Sequence, residues 1–117
     1  MRRLTLLAML MCLASCDGHG TPFADEAAAR QARDLIAQRC GACHRVPGID
    51  SAQGRVGPSL AEISRQQVIA GHFVNTPEML TRWIEHPQSL LPGDAMPEMG
   101  LSHEQARLIA DYLYRVE

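Results

Sequence analysis

Residues 40–44 read Cys40-Gly41-Ala42-Cys43-His44, and the reading of this C-x-x-C-H run decides the fold. Two thiols two residues apart fit one helical turn, where each can add to one vinyl group of a porphyrin and form a thioether. The adjacent histidine then falls beneath the iron and supplies a ring nitrogen as proximal ligand. Two other chemistries use the same cysteine spacing. A thioredoxin-like dithiol needs a βαβ setting, and the chain has no parallel-strand pattern. A structural zinc site needs four ligands, and no second Cys/His cluster at finger spacing occurs. The run therefore predicts one covalently held haem, attached through Cys40 and Cys43, with His44 as its first axial ligand.

A six-coordinate haem needs a second ligand, and Pro92-Gly93-Asp94-Ala95-Met96-Pro97 offers one in a turn-rich loop. A thioether is a soft ligand suited to haem iron, and a His/Met pair raises the reduction potential. Met96 is the expected ligand, with Met99 and the histidines His72, His86 and His103 as alternatives. Met79 lies on a helical apolar stripe and reads as core.

Around these motifs the chain carries helix signals and almost no strand signal. Asp25 can cap a helix with Glu26 in its first turn and Ala28, Ala32, Leu35 and Ile36 on one face, running into Cys40. A second helix begins at Thr76, with Pro77 at its first position, and Pro87 stops it. Its stripe is Met79, Leu80, Trp83 and Ile84. A third starts at Ser102, whose capping-box partner is Gln105, and continues through Ala106, Ile109, Ala110, Leu113 and Val116. Residues 45–59 are rich in Gly and Pro, and a short helix is expected from Leu60 to Arg65. The fold class is all-α, a small helical domain whose long loops need something to wrap around.

Composition supports this. A chain of 117 residues is one domain, and only 4% of it is aromatic, too little to fill a core without help from a cofactor. All 11 basic residues are arginine, and with 13 acids the net charge is −2, which argues against nucleic-acid binding, where a strongly basic face is expected.

The first residues have a different purpose. Arg2 and Arg3 precede an apolar run from Leu4 to Ala14, too short to span a bilayer but suited to a secretory signal. Leu13-Ala14-Ser15-Cys16 resembles the lipobox of bacterial lipoproteins, in which the chain is cut before the cysteine and its thiol takes a diacylglycerol. Residues 1–15 are thus expected as a lipoprotein signal peptide, 16–25 as a lipidated tether and 26–117 as the folded domain. Cleavage removes Arg2 and Arg3 and takes the net charge from −2 to −4. Two or three acyl chains anchor stably where one does not. The expected location is the periplasmic side of a bacterial membrane, lipid-anchored.

With helix, C-x-x-C-H, Gly57-Pro58-Ser59-Leu60, the Met96 loop and a last helix in this order, residues 26–117 resemble a class I cytochrome c. The resemblance implies that the carbonyl of Pro58 accepts the proximal histidine's ring N–H, that Leu60 lines the haem face, and that the first and last helices cross through Ala32, Leu35, Ile36, Ile109 and Leu113. A narrower likeness is to the cytochrome c domain fused to subunit II of caa3-type oxidases. It is carried by Ser64-Arg65, Ala70-Gly71, Asn75-Thr76-Pro77, Trp83-Ile84, His86-Pro87-Gln88 and the Met96 loop. That likeness implies Arg65 and Trp83 near the haem propionates. The chain carries no copper-binding or membrane-spanning subunit II portion, so a separate redox partner is expected. The implied function is a monomeric, monohaem carrier of single electrons towards a terminal oxidase, and not an enzyme. The alternatives are a haem subunit of a periplasmic dehydrogenase and, from a different class, a sensor in which a small ligand displaces Met96.

Overall fold

The computed structural model describes residues 25–116; the expected signal peptide, the expected lipidation site Cys16 and the expected tether up to residue 24 lie outside the described residues. Helix α1 (Glu26–Arg39) starts where Asp25 accepts a hydrogen bond from the Ala27 N–H at 2.8 Å. Glu26 in its first turn and Arg39 in its last complement the helix dipole. Helix α2 (Pro77–Glu85) is capped by the Thr76 hydroxyl on the Met79 N–H, with Pro77 at a position that has no N–H to lose. Pro87 ends α2 and begins the single-turn helix α3 (Pro87–Leu90), so the same residue stops one helix and starts another. Helix α4 (His103–Arg115) opens on the expected capping box, in which Ser102 and Gln105 satisfy each other's backbone N–H groups.

Helix α4 packs against both α1 and α2. Its buried side chains are Ala106, Ile109, Ala110, Tyr112 and Leu113, and they share one core with Ala32 and Ile36 of α1 and Leu80, Trp83 and Ile84 of α2. Ile36, Ile109 and Leu113 are among the most completely buried. Each stabilises the fold by about 1.5–3 kcal/mol relative to exposure. On α1 Ala32 and Ile36 are buried as expected, whereas Ala28 and Leu35 are only half-buried and Ala29 takes the buried place in the first turn.

Two features differ from the sequence-based expectation. The helix expected over Leu60–Arg65 shrinks to a 3₁₀ turn at Ile63–Arg65, entered through Glu62 at φ 57. A two-stranded antiparallel hairpin, β1 (Val68–Ile69) and β2 (Phe73–Val74), adds a small sheet to the helical fold. Its turn holds Ala70 at φ 50 and Gly71 at φ 70, and the His72 N–H bonds the Ile69 carbonyl at 3.1 Å. Asn75 ties this region to the last helix. Its side-chain amide donates to the carbonyls of Ile63 and Gln66 at 2.7 and 2.8 Å, and it accepts the Tyr114 hydroxyl at 2.6 Å.

Candidate functional site

The attachment run continues α1 directly. The Ile36 carbonyl accepts from both Cys40 N–H and Gly41 N–H, at 2.8 and 2.9 Å, and the Cys40 carbonyl accepts from Cys43 and His44 at 3.1 and 2.8 Å. Both cysteines are free thiols and half-buried. Burial, with the neighbouring Cys43 contributing less, pushes the Cys40 thiol up to about 11, so it is held protonated at neutral pH. Residues 45–60 fold back over the turn: Gly54 N–H reaches the carbonyls of Gly41 and His44, and Gly57 N–H bonds Cys43 at 2.8 Å. Gly54 lies so close to the Ala42–Cys43 peptide that a Cβ there would sit 2.5 Å from the Ala42 carbonyl oxygen.

His44 is held on one nitrogen. Its Nδ1 lies 2.7 Å from the Pro58 carbonyl oxygen. A carbonyl only accepts, so Nδ1 carries the hydrogen, and in the neutral ring Nε2 is left with its lone pair. Gly57 packs flat against the ring, where a Cβ would lie 2.7 Å from Nδ1 and 3.0 Å from Nε2. Leu60, whose N–H bonds the Arg45 carbonyl at 2.9 Å, is half-buried against the core.

The Met96 loop is pinned by side chains. Asp94 Oδ1 accepts the Met96 N–H at 2.9 Å, and Gln88 Nε2 donates to the carbonyls of Met96 at 2.7 Å and Asp94 at 2.8 Å. Pro97 follows and confines Met96 to extended backbone. Met96 and Met99 are both half-buried against the core, so burial does not separate them. Met79 also packs there, as expected of its stripe. Arg65 pairs with Glu62 at 2.9 Å, and Trp83, 8% exposed, stacks at a tilt on Phe73 with centroids 5.8 Å apart. The other histidines have partners of their own: His103 bonds Glu85 at 2.8 Å, His86 lies 3.5–3.6 Å from Glu85 and Glu98, and His72 lies by Phe73. Gln88 and Asn75 carry dense hydrogen bonding that sequence reasoning did not assign, because an isolated amide side chain has no pattern that marks it.

Residues 29–117 match the sequence profile of the cytochrome c family. The chain belongs to that family. The cytochrome c domain is 36% identical over 90 residues to a cytochrome c oxidase subunit 2 of Alkalihalophilus pseudofirmus, covering 75% of this chain and 25% of that protein. To a cytochrome c oxidase subunit 2 of Bacillus sp. strain PS3 it is 30% identical over 96 residues, covering 79% and 27%. The chain thus spans about a quarter of the length of these curated relatives. The c-type cytochrome SorU from Sinorhizobium meliloti shares the fold, with a TM-score of 0.55 and 22% identity over 79% of this chain and 93% of that one.

Membership implies covalent haem c and electron transfer, and the residues present fit such a group. Two free thiols sit on one turn, an imidazole has Nδ1 occupied and Nε2 available, and glycine alone leaves room for that ring. Among the described residues no three His, Cys, Asp or Glu side chains gather as a site for a bare metal ion.

Proposed function

We propose that this cytochrome c is a single-electron carrier, tethered through lipid on Cys16 to the periplasmic side of a bacterial membrane. It takes part in a respiratory chain leading to a terminal oxidase. When bound, the haem supplies a one-electron ferric/ferrous couple. Cys40 and Cys43 would hold it covalently, His44 Nε2 and Met96 would supply its two iron ligands, and Leu60 would lie against the ring. Arg65 and Trp83 are the proposed neighbours of its propionates. The observation that carries the reading is the 2.7 Å contact from His44 Nδ1 to Pro58. Such a bond fixes the tautomer and ring orientation of a ligating histidine and strengthens it as a donor. The oxidase direction rests on the two relatives, both oxidase subunits. The redox partner is proposed to be a separate membrane oxidase.

With His44 and Met96 both available as iron ligands, the chain would leave no position for substrate, and this favours a carrier over an enzyme or a sensor. Carbon monoxide tests this. The reduced protein should keep its spectrum under the gas; ready formation of a carbonyl complex would favour the sensor reading.

A further inference from the structure

One side chain outside the expected ligand set makes three hydrogen bonds to the Met96 loop. Gln88 is half-buried at the start of α3. Its Nε2 donates to Asp94 O and Met96 O at 2.8 and 2.7 Å, and its Oε1 accepts from Gly93 N–H at 3.0 Å. Its own backbone N–H donates to Glu98 Oε1 at 3.0 Å, which engages the loop beyond Pro97 as well. The side-chain amide is thus saturated by backbone groups of one six-residue loop that has no ladder of its own to satisfy them. Met96 has its N–H on Asp94 and its carbonyl on Gln88, and the proline after it removes most remaining backbone freedom. The thioether side chain takes no part in these hydrogen bonds and is half-buried against the core.

We propose that Gln88 is the positioning residue for the sixth ligand, holding Met96 so that its sulfur stays on the iron. The proposal rests on Met96 being that ligand. A thioether is a weak donor compared with imidazole, so its occupancy depends on how firmly the loop presents it. The Gln88 contacts end at Glu98, one residue short of Met99.

Imidazole binding to the ferric holoprotein is the probe, because imidazole must displace the methionine: the Fe–S bond breaks, an Fe–N bond forms, and no electron moves. Each hydrogen bond is worth about two- to tenfold in an equilibrium, so Gln88→Leu should raise imidazole affinity about 10- to 100-fold. Gln88→Glu keeps the size but turns the donor into an acceptor facing two carbonyls, and carries the same expectation. Asn75→Leu is the comparison. It also removes two donated hydrogen bonds and one accepted, at the hairpin, and should lower the melting temperature while leaving imidazole affinity alone.

Met96→Ala separates the two claims. If it abolishes the weak red-edge band of ferric Met-ligated haem while both Gln88 variants bind imidazole as wild type does, the ligand stands and the role of Gln88 is overturned. If Met96→Ala keeps the band, both fall. Failure of both Gln88 variants to yield folded holoprotein also overturns the proposal, since a positioning role predicts a folded protein with a loosened methionine.

Discussion

Gly57→Ala puts one methyl group against the ring of His44. The added Cβ would lie 2.7 Å from Nδ1 and 3.0 Å from Nε2, and closer still to Cε1. Gly57 is not among the glycines at positive φ, so the substitution tests the clash and not the backbone. Relief requires the ring to tilt off the Pro58 carbonyl, or residues 57–58 to move against the 2.8 Å bond from Gly57 N–H to Cys43. Overpacking a tight site costs about 1–3 kcal/mol, and the lost hydrogen bond adds about 0.5–1.5 kcal/mol. The total of about 2–4 kcal/mol corresponds to a fall in Tm of about 10–20 °C for a domain of this size. The potential should also move. Without its Nδ1–H···O bond the imidazole is a poorer donor, the ferric state is less stabilised, and the potential rises. Thermal melts followed at the haem absorption, with a redox titration of each protein, measure both. A variant melting within about 2 °C of wild type at an unchanged potential would show that the Gly57–Pro58 segment does not hold His44.

Three further outcomes are expected. Cys40→Ala and Cys43→Ala should each impair covalent maturation, read as haem lost on acid-organic extraction, whereas wild type keeps one haem. Cys16→Ser should release the protein from membranes or block its processing, as fractionation and intact mass would show; wild type already free after secretion would remove the lipid anchor from the account. Burial and the nearby Glu78 hold the Tyr114 phenol above its ordinary value in the folded state. Its contribution is therefore complete below the unfolded value of about 10 and is lost as pH rises through the folded one. Tyr114→Phe, which removes the donor to Asn75 Oδ1, should cost about 0.5–1.5 kcal/mol at neutral pH and flatten this alkaline loss in denaturant midpoints.

The helices were legible because their caps are local. Asp25, Thr76 with Pro77, and Ser102 with Gln105 each mark a start that the backbone obeys, and Pro87 marks an end. The hairpin was not legible, because its turn sets Ala70 at φ 50, where asparagine or glycine is the usual signal. Glu62 at φ 57 hid the start of the 3₁₀ turn for the same reason. The attachment run and the Met96 loop stood out because their chemistry is contiguous in sequence. The Pro58 carbonyl could be assigned to His44 only through family resemblance, since the backbone of a Gly-Pro step announces no partner 14 residues away. Gln88 and Asn75 act over 5–10 and 9–39 residues through amide groups that any exposed loop also carries, and only coordinates reveal that theirs are saturated.

Ferrous protein labelled with ¹³C at its methionine methyls tests the axial pair most directly by proton NMR. A methyl group bonded through its sulfur to the iron lies over the porphyrin, where the ring current carries it far upfield. One methyl should be shifted in this way, and Met96→Leu should remove that signal while Met99→Leu leaves it in place. A spectrum with no upfield methyl, or one in which Met99→Leu removes it, would contradict the assignment of His44 and Met96 as the ligands of the carrier.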